Sequence, residues 1–234
     1  MASQQHALIT GANKGIGLEI ARQLGALHLT VWLGCRDNAR GEQAAAGLRE
    51  AGIDARAVQL DVTDDASIRA AVATIGAVTD RLDVLVNNAG VSLGGFPPVS
   101  EESIDTIRAT FEVNTFGPVR VTQAFLPMLR QAGAARIVMM SSELGSIASA
   151  LDMSSLIWPV GVAGYSASKS ALNIFTAKFA KELAGTGIKV NAADPGYTAT
   201  DLNGHSGPRS VQQAAGIAVA LATLSAVGPT GGFP

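Results

Sequence analysis

Short apolar runs rich in Val, Ile and Leu recur along the chain at residues 6–10, 29–33, 56–60, 82–86, 135–140 and 188–193. Such runs suit strands buried on both faces of a parallel sheet. Between them, apolar residues return at helical spacing over 16–24, 39–51, 67–76, 104–129 and 165–183, and once more over 211–224. Parallel neighbours need crossover connections, and helices that pack back on the sheet supply them. The pattern therefore predicts an α/β chain, a doubly wound parallel sheet with helices on both faces. No repeat or linker divides it, so residues 1–234 are expected to form one domain. The stretch 143–164 shows neither period, and an irregular segment of that length inside a domain is usually functional. After the last helical stretch the chain reads Gly-Pro-Thr-Gly-Gly-Phe-Pro, so the further strand expected there is either very short or missing from this chain.

Composition narrows the function classes. Hydrophobic residues make up 47% and charged residues 15%, which excludes a disordered chain. A formal net charge of -2 gives no basic footprint for nucleic acid or an anionic membrane surface. The longest nearly apolar run, 214–224, falls short of the ~20 residues that span a bilayer. The amino end lacks the basic stretch, long apolar core and cleavage site of a signal peptide. The lone cysteine, Cys35, excludes an internal disulfide and fits a reducing compartment. A cytoplasmic protein with no nucleic-acid or membrane partner is expected. The three histidines, His6, His28 and His205, have no Cys/His spacing suited to a metal, so no metal site is expected.

Chemistry enters after the first strand, at Thr10-Gly11-Ala12-Asn13-Lys14-Gly15-Ile16-Gly17. Glycines permit a tight turn, close approach to a pyrophosphate and close helix–sheet packing. The free N–H groups of the following helix attract phosphate. The spacing Thr-Gly-x-x-x-Gly-x-Gly resembles the nucleotide motif of the short-chain dehydrogenase/reductase family. Further motifs follow in the family's order: Asp61, Asn87-Asn88-Ala89-Gly90, Asn114, Ser141-Ser142, Tyr165-x-x-x-Lys169 and Pro195-Gly196. The resemblance covers nearly the whole chain. It is strongest to the carbonyl-reductase branch, through Gly11–Gly17 and Arg36-Asp37-Asn38-Ala39-Arg40-Gly41. It implies a Rossmann-type fold that binds a nicotinamide dinucleotide. Its cofactor contacts would fall on Gly11, Asn13, Lys14, Gly15, Ile16 and Gly17, on Arg36, and on Asp61 and Val62 at the adenine edge. Asn88, Ala89 and Gly90 would line the adenosine pocket. Pro195, Gly196, Thr198 and Thr200 would hold the carboxamide and pyrophosphate.

The dinucleotide's identity turns on the end of the second strand. A carboxylate there binds ribose hydroxyls and repels a 2′-phosphate, whereas a guanidinium binds that phosphate. Asp37 lies about 20 residues past the glycine turn, as an NAD-binding acid does. Arg36 falls where related reductases bind the 2′-phosphate, and Lys14 lies on the same side. Two cations converging on one phosphate outweigh one displaced carboxylate, so NADP(H) is expected.

Tyr165 and Lys169 stand four residues apart, on one helix face. A free tyrosine titrates near 10, too high for efficient acid–base work at neutral pH, and a nearby ammonium would lower it. The small Ser166, Ala167 and Ser168 between them would leave room for cofactor. Ser142, at the carboxyl end of a strand, would donate a hydrogen bond to a substrate oxygen as charge develops. The resemblance favours it over Ser141, which would satisfy backbone groups. Asn114 sits in a helical stretch four residues before Pro118, whose missing N–H predicts a kink that frees the Asn114 carbonyl. In related enzymes that carbonyl holds a water in a proton relay with the lysine. Lys169 would also bind the nicotinamide ribose.

The implied activity is hydride transfer between NADP(H) and a carbonyl or alcohol substrate, with Tyr165 as proton donor. An epimerase or dehydratase of the same superfamily is the first alternative. A non-enzymatic NADP(H)-sensing protein is the second, and the Tyr165/Lys169 pair argues against it. No Gly-x-Ser-x-Gly elbow supports a hydrolase. Ser142 and Tyr165 are 23 residues apart, against about a dozen in many short relatives, so 143–164 reads as an inserted lid. Its Leu151, Met153, Leu156, Ile157, Trp158 and Val162 suit an apolar substrate. The insertion is intermediate in length, which leaves monomer and homo-oligomer both open.

Overall fold

The computed structural model describes residues 4–233. Six strands form one parallel sheet: β1 (His6–Thr10), β2 (Thr30–Cys35), β3 (Ala55–Gln59), β4 (Val84–Asn87), β5 (Arg136–Met140) and β6 (Lys189–Ala193). Their spatial order is β3-β2-β1-β4-β5-β6, so the winding reverses between β1 and β4. A ligand crevice opens at such a reversal, outside the carboxyl ends of the strands.

Strand side chains alternate between two apolar clusters. Ala7, Ile9, Val31, Leu33 and Val86 face α1 (Gly15–Ala26), α2 (Asn38–Glu50) and α8 (Val211–Ala222). Leu8, Trp32, Leu85, Ile137 and Val190 face the other side. There they meet α3 (Asp65–Gly76), α5 (Gly117–Gln131) and α7 (Ala163–Glu182). Phe125 and Leu129 of α5 are fully buried, and truncating Phe125 to Ala would cost about 3–5 kcal/mol.

Two differences from the sequence-based expectation matter for the site. The stretch 104–129 is not one helix. It divides into α4 (Ile104–Phe111), a π-helical turn at Glu112–Phe116, and α5. Pro118 offers no N–H to the Asn114 carbonyl, and the widened turn absorbs that loss. The segment 143–164 is not irregular throughout. It holds a 3₁₀ turn at Glu143–Gly145 and a short helix, α6 (Ile147–Leu151), while α7 already begins at Ala163. Beyond α8, residues 230–232 bond along the edge of β6. Gly231 N–H donates to the Val190 carbonyl at 2.7 Å, and Ala192 N–H to Gly232 at 2.9 Å. These bonds lie where the further strand is expected.

Candidate active site

The turns that leave the strands enclose a cleft of about 530 Å³ at the β1/β4 reversal. Its floor is the glycine turn. The side chain of Asn88 crosses from β4 and donates to the carbonyls of Thr10 (2.9 Å) and Gly11 (3.3 Å). A Cβ at Gly17 would strike that same amide, so the helix can sit this close only with glycine there. No side chain caps α1, whose amino end opens on the cleft. By contrast Asp37 caps α2, Asp64 caps α3 and Ser210 caps α8. Uncapped N–H groups beside an open cleft are the chemistry that a pyrophosphate requires.

The cleft gathers most of the cofactor residues chosen from the sequence. Gly11, Asn13, Lys14, Gly15, Ile16, Gly17, Arg36, Asp61, Val62, Asn88, Ala89, Gly90, Tyr165, Lys169, Pro195 and Thr200 all line it. Gly196 and Thr198 do not line it. Thr198 is buried and its hydroxyl turns back to the carbonyls of Pro195 and Gly196, both at 3.1 Å.

At the adenosine end, Asp37 is turned away from the cleft. It accepts from Arg40 N–H at 3.1 Å and pairs with the Arg40 guanidinium at 3.3 Å. Arg36 faces the cleft with no ion pair among the described residues. Lys14 lines the same cleft as Arg36 but is already paired. Its ammonium pairs across the cleft with Asp201, which also receives His205 Nε2 at 2.7 Å. Lys14 beside it holds the Asp201 carboxyl below the usual range. Asp201 and His205 carried no signal in the sequence, because 187 residues separate Lys14 from Asp201 and all three side chains are exposed.

At the other end, Tyr165 and Lys169 lie one turn apart on α7. Lys169 is buried, donates to the Met140 carbonyl at 2.7 Å, and sits 5.5 Å from the Tyr165 ring centroid. Burial pulls its ammonium down to about 8. The sequence led us to expect a depressed tyrosine, and the structure reverses the direction. Burial pushes Tyr165 up to about 12, and a hydrogen bond with Ser142 only partly opposes it. Desolvation of the phenolate outweighs a lysine that is itself desolvated and turned to a carbonyl.

Ser142 is held for this contact. Its hydroxyl also accepts from Leu144 N–H at 3.2 Å, while Ser141 donates to Asn173 Oδ1 at 2.6 Å. The turn that carries Ser142 is latched to α7. A Cβ at Gly145 would lie 2.8 Å from the Lys169 backbone, and Ser170 donates to the Gly145 carbonyl at 2.8 Å. Asn114 is fully buried behind Lys169. Its side chain exchanges two 2.8 Å hydrogen bonds with the Val91 backbone and donates to Ser168 Oγ at 3.1 Å. Sequence reasoning missed this anchoring by the Asn114 amide. Ser168, expected to leave room for cofactor, is buried against Asn114 and Thr115 instead.

A family model described as short chain dehydrogenase matches residues 5–210. The chain belongs to the short-chain dehydrogenase/reductase family. It is therefore an oxidoreductase of a family that binds nicotinamide cofactors. (-)-Isopiperitenone reductase of Mentha piperita is 33% identical over 304 aligned residues, covering 98% of this chain and 96% of that protein. The alignment is longer than the chain, so that relative carries segments absent here. (+)-Neomenthol dehydrogenase of Arabidopsis thaliana is 30% identical over 275 residues, covering 94% and 92%. Among solved structures, an NADPH-bound carbonyl reductase from chicken fatty liver superposes with a TM-score of 0.85 at 31% identity, covering 98% and 95%. No helix among the described residues is long and apolar enough to cross a membrane.

Proposed function

We propose that this family member is an NADPH-dependent reductase of apolar aldehydes or ketones, folded as one domain, with Tyr165 as proton donor. The observation that carries the reading is the Tyr165/Lys169 pair in the cleft, with Ser142 bonded to Tyr165 just outside its lining, and an adenosine end that presents Arg36 rather than Asp37. NADPH suits the arrangement because Arg36 offers an unpaired guanidinium for a 2′-phosphate, and the uncapped end of α1 offers N–H groups for the pyrophosphate. The Lys14–Asp201 pair is exposed on both sides, so it holds weakly and can give way to a phosphate. NADPH bound there supplies a hydride.

The chain's own residues handle the proton and the oxygen. A tyrosine near 12 is protonated at neutral pH and so holds a proton to give, but burial makes it a weak acid, and the nearby Lys169 ammonium has to offset the cost of the buried phenolate. Tyr165 donates its phenolic proton to the carbonyl oxygen, and Ser142 donates a hydrogen bond to the developing alkoxide. The Lys169 ammonium stabilises the phenolate left behind. Segment 143–164 is read as a lid, because Leu151, Met153 and Leu156 are 74%, 78% and 93% exposed on the stretch that joins Ser142 to Tyr165, although none of its residues lines the cleft. A ketone substrate is further supported by the carbonyl reductase among the similar structures and the alcohol in the neomenthol relative's name.

The test is an NADPH-oxidation screen across aldehydes, cyclic ketones such as menthone, and quinones, repeated with NADH. Stoichiometric NADPH loss with alcohol formation is expected. Net product without cofactor turnover would instead identify an epimerase or dehydratase.

A further inference from the structure

Helix α7 carries both Tyr165 and Lys169, yet nothing in its own sequence caps it. The preceding residue, Val162, has no hydrogen-bonding side chain. The amide of Gly164 instead donates to Oε2 of Glu102, 2.9 Å away and 62 residues earlier in the chain. Space at Gly164 is shaped to that carboxylate. A Cβ there would lie 2.5 Å from Glu102 Oε1 and 3.2 Å from Ile107 Cγ1.

We propose that Glu102 is a positioning residue for the catalytic helix. Its carboxylate closes the amino end of α7 from another segment and so holds Tyr165, the residue after Gly164, against Ser142. The proposal rests on the reading of Tyr165 as proton donor. Among the described residues, the other ties from neighbouring elements to α7's backbone and small side chains begin at Ser168. Asn114 and Thr115 bond Ser168, and Gly145 receives Ser170. All of these fix Lys169 and the turn beyond it. The Glu102 bond alone acts on the amino side of Tyr165.

The chemistry of the bond suits this task. A carboxylate at a helix amino end meets both the dipole and an unsatisfied N–H, and such a charge-assisted bond is about twice as strong as a neutral one. Proton transfer demands hydrogen-bond reach, and a displacement of about 1 Å can cost ~100-fold in rate. Glu102 also closes the segment between β4 and α4, so the same bond joins that segment to the catalytic helix.

The experiment compares Glu102→Ala, Glu102→Gln and Gly164→Ala, with NADPH and menthone as probes. Glu102→Ala should lower kcat at least about tenfold, while KM for menthone and Kd for NADPH change less than about twofold. Glu102→Gln, whose amide oxygen can accept the same N–H, should keep at least about half of kcat. Gly164→Ala should reproduce the loss with Glu102 intact, because its methyl displaces the carboxylate. Combining it with Glu102→Ala should cost no more than either change alone. A fall in Tm with kcat per folded molecule unchanged overturns the proposal, as does a Gln variant as slow as Ala or full multiplicative loss in the double variant.

If Glu102→Ala does not fold, the Gln and Gly164 variants decide by the same criteria. If menthone is not turned over, hydrogen exchange decides without substrate. The Gly164 amide should exchange at least about tenfold faster in Glu102→Ala at equal global stability, and equal exchange overturns the proposal. Tyr165→Phe separates the two readings. Its retained turnover refutes the proton donor, whereas an inactive Tyr165→Phe beside a fully active Glu102→Ala refutes the role of Glu102 alone.

Discussion

The wall of the cleft between β1 and β4 and the segment 147–160, which precedes Tyr165 in the chain, differ in how each is held. The first is bound by contacts distant in sequence. Asn88 and Ala89 N–H groups both donate to Thr10 Oγ1, at 2.9 and 3.0 Å, and Asn88 Nδ2 reaches the glycine turn. In the second, the hydrogen bonds among the described residues are local, such as Ser154 to Asp152, Trp158 to Ser155 and Ser149 to Ser146. Its large apolar side chains stand in solvent. A segment with local bonds and little burial opens at small free-energy cost, while the crosslinked wall opens only with the sheet. The contrast fits a site whose nucleotide half meets one unvarying ligand and whose substrate half must admit and release another.

Tyr165 lies between the two halves, and its removal should have the largest effect. Tyr165→Phe should reduce turnover by roughly three orders of magnitude or more, about 4 kcal/mol in the barrier, with NADPH affinity nearly unchanged. Single-turnover NADPH oxidation beside a fluorescence titration of cofactor binding measures both. A matching loss of affinity would mean that Tyr165 belongs to the nucleotide wall rather than to the chemistry.

Legibility in the sequence follows the same division. The inner strands β1, β2 and β4 are readable because apolar residues fill both faces, and the glycine turn because its spacing answers one steric demand. The π-helical turn was readable only as a kink, from Asn114 and Pro118. Contacts between exposed or single polar residues far apart in the chain left no periodic mark. Lys14 with Asp201 and Glu102 with Gly164 are of this kind. The direction of Tyr165's shift was misread because desolvation depends on burial, which spacing on a helix does not report. The five-residue α6 is too short to establish a period.

Within the nucleotide half, Arg36→Ala should weaken NADPH binding by about 1.5–3 kcal/mol and leave NADH binding nearly unchanged. Isothermal titration with each cofactor reads this. Equal affinity of the unaltered protein for NADH and NADPH would overturn the role assigned to Arg36.

Lys169, at the junction, should show function opposing stability. Its folded value near 8 lies below the ordinary 10.5, so between those pH values the unfolded chain binds more protons and stability rises with pH. The burden of the buried ammonium is therefore full below pH 8 and gone above 10.5. Lys169→Met should stabilise the cofactor-free protein near pH 7 by roughly 1–2 kcal/mol, after allowing for the lost bond to Met140, while abolishing activity. Urea unfolding of both proteins at pH 7 and pH 10 tests this. A gap that widens with pH contradicts the sign.

The smallest effect belongs to the substrate half, at Trp158. Its side chain is 49% exposed, between the fully solvated Leu156 and the buried Val162, so it can fold over a ligand without leaving a core. Burying its remaining apolar surface against a bulky ketone would contribute about 1 kcal/mol, and a small aldehyde would not reach it. Trp158→Ala should therefore raise KM several-fold for menthone-sized ketones and barely for small aldehydes, with stability within about 0.5 kcal/mol of the unaltered protein. If the side chain also excludes water when the segment closes, kcat for the bulky ketone falls as well, because Ser142's bond to the developing alkoxide weakens in wetter surroundings. Cofactor affinity should stay constant, since the nucleotide wall is held by Thr10, Asn88 and Gly17, none of which touches this segment. Large and small substrates equally affected, or a protein that unfolds, would make Trp158 part of the packing and join the two halves that the hydrogen bonds keep apart.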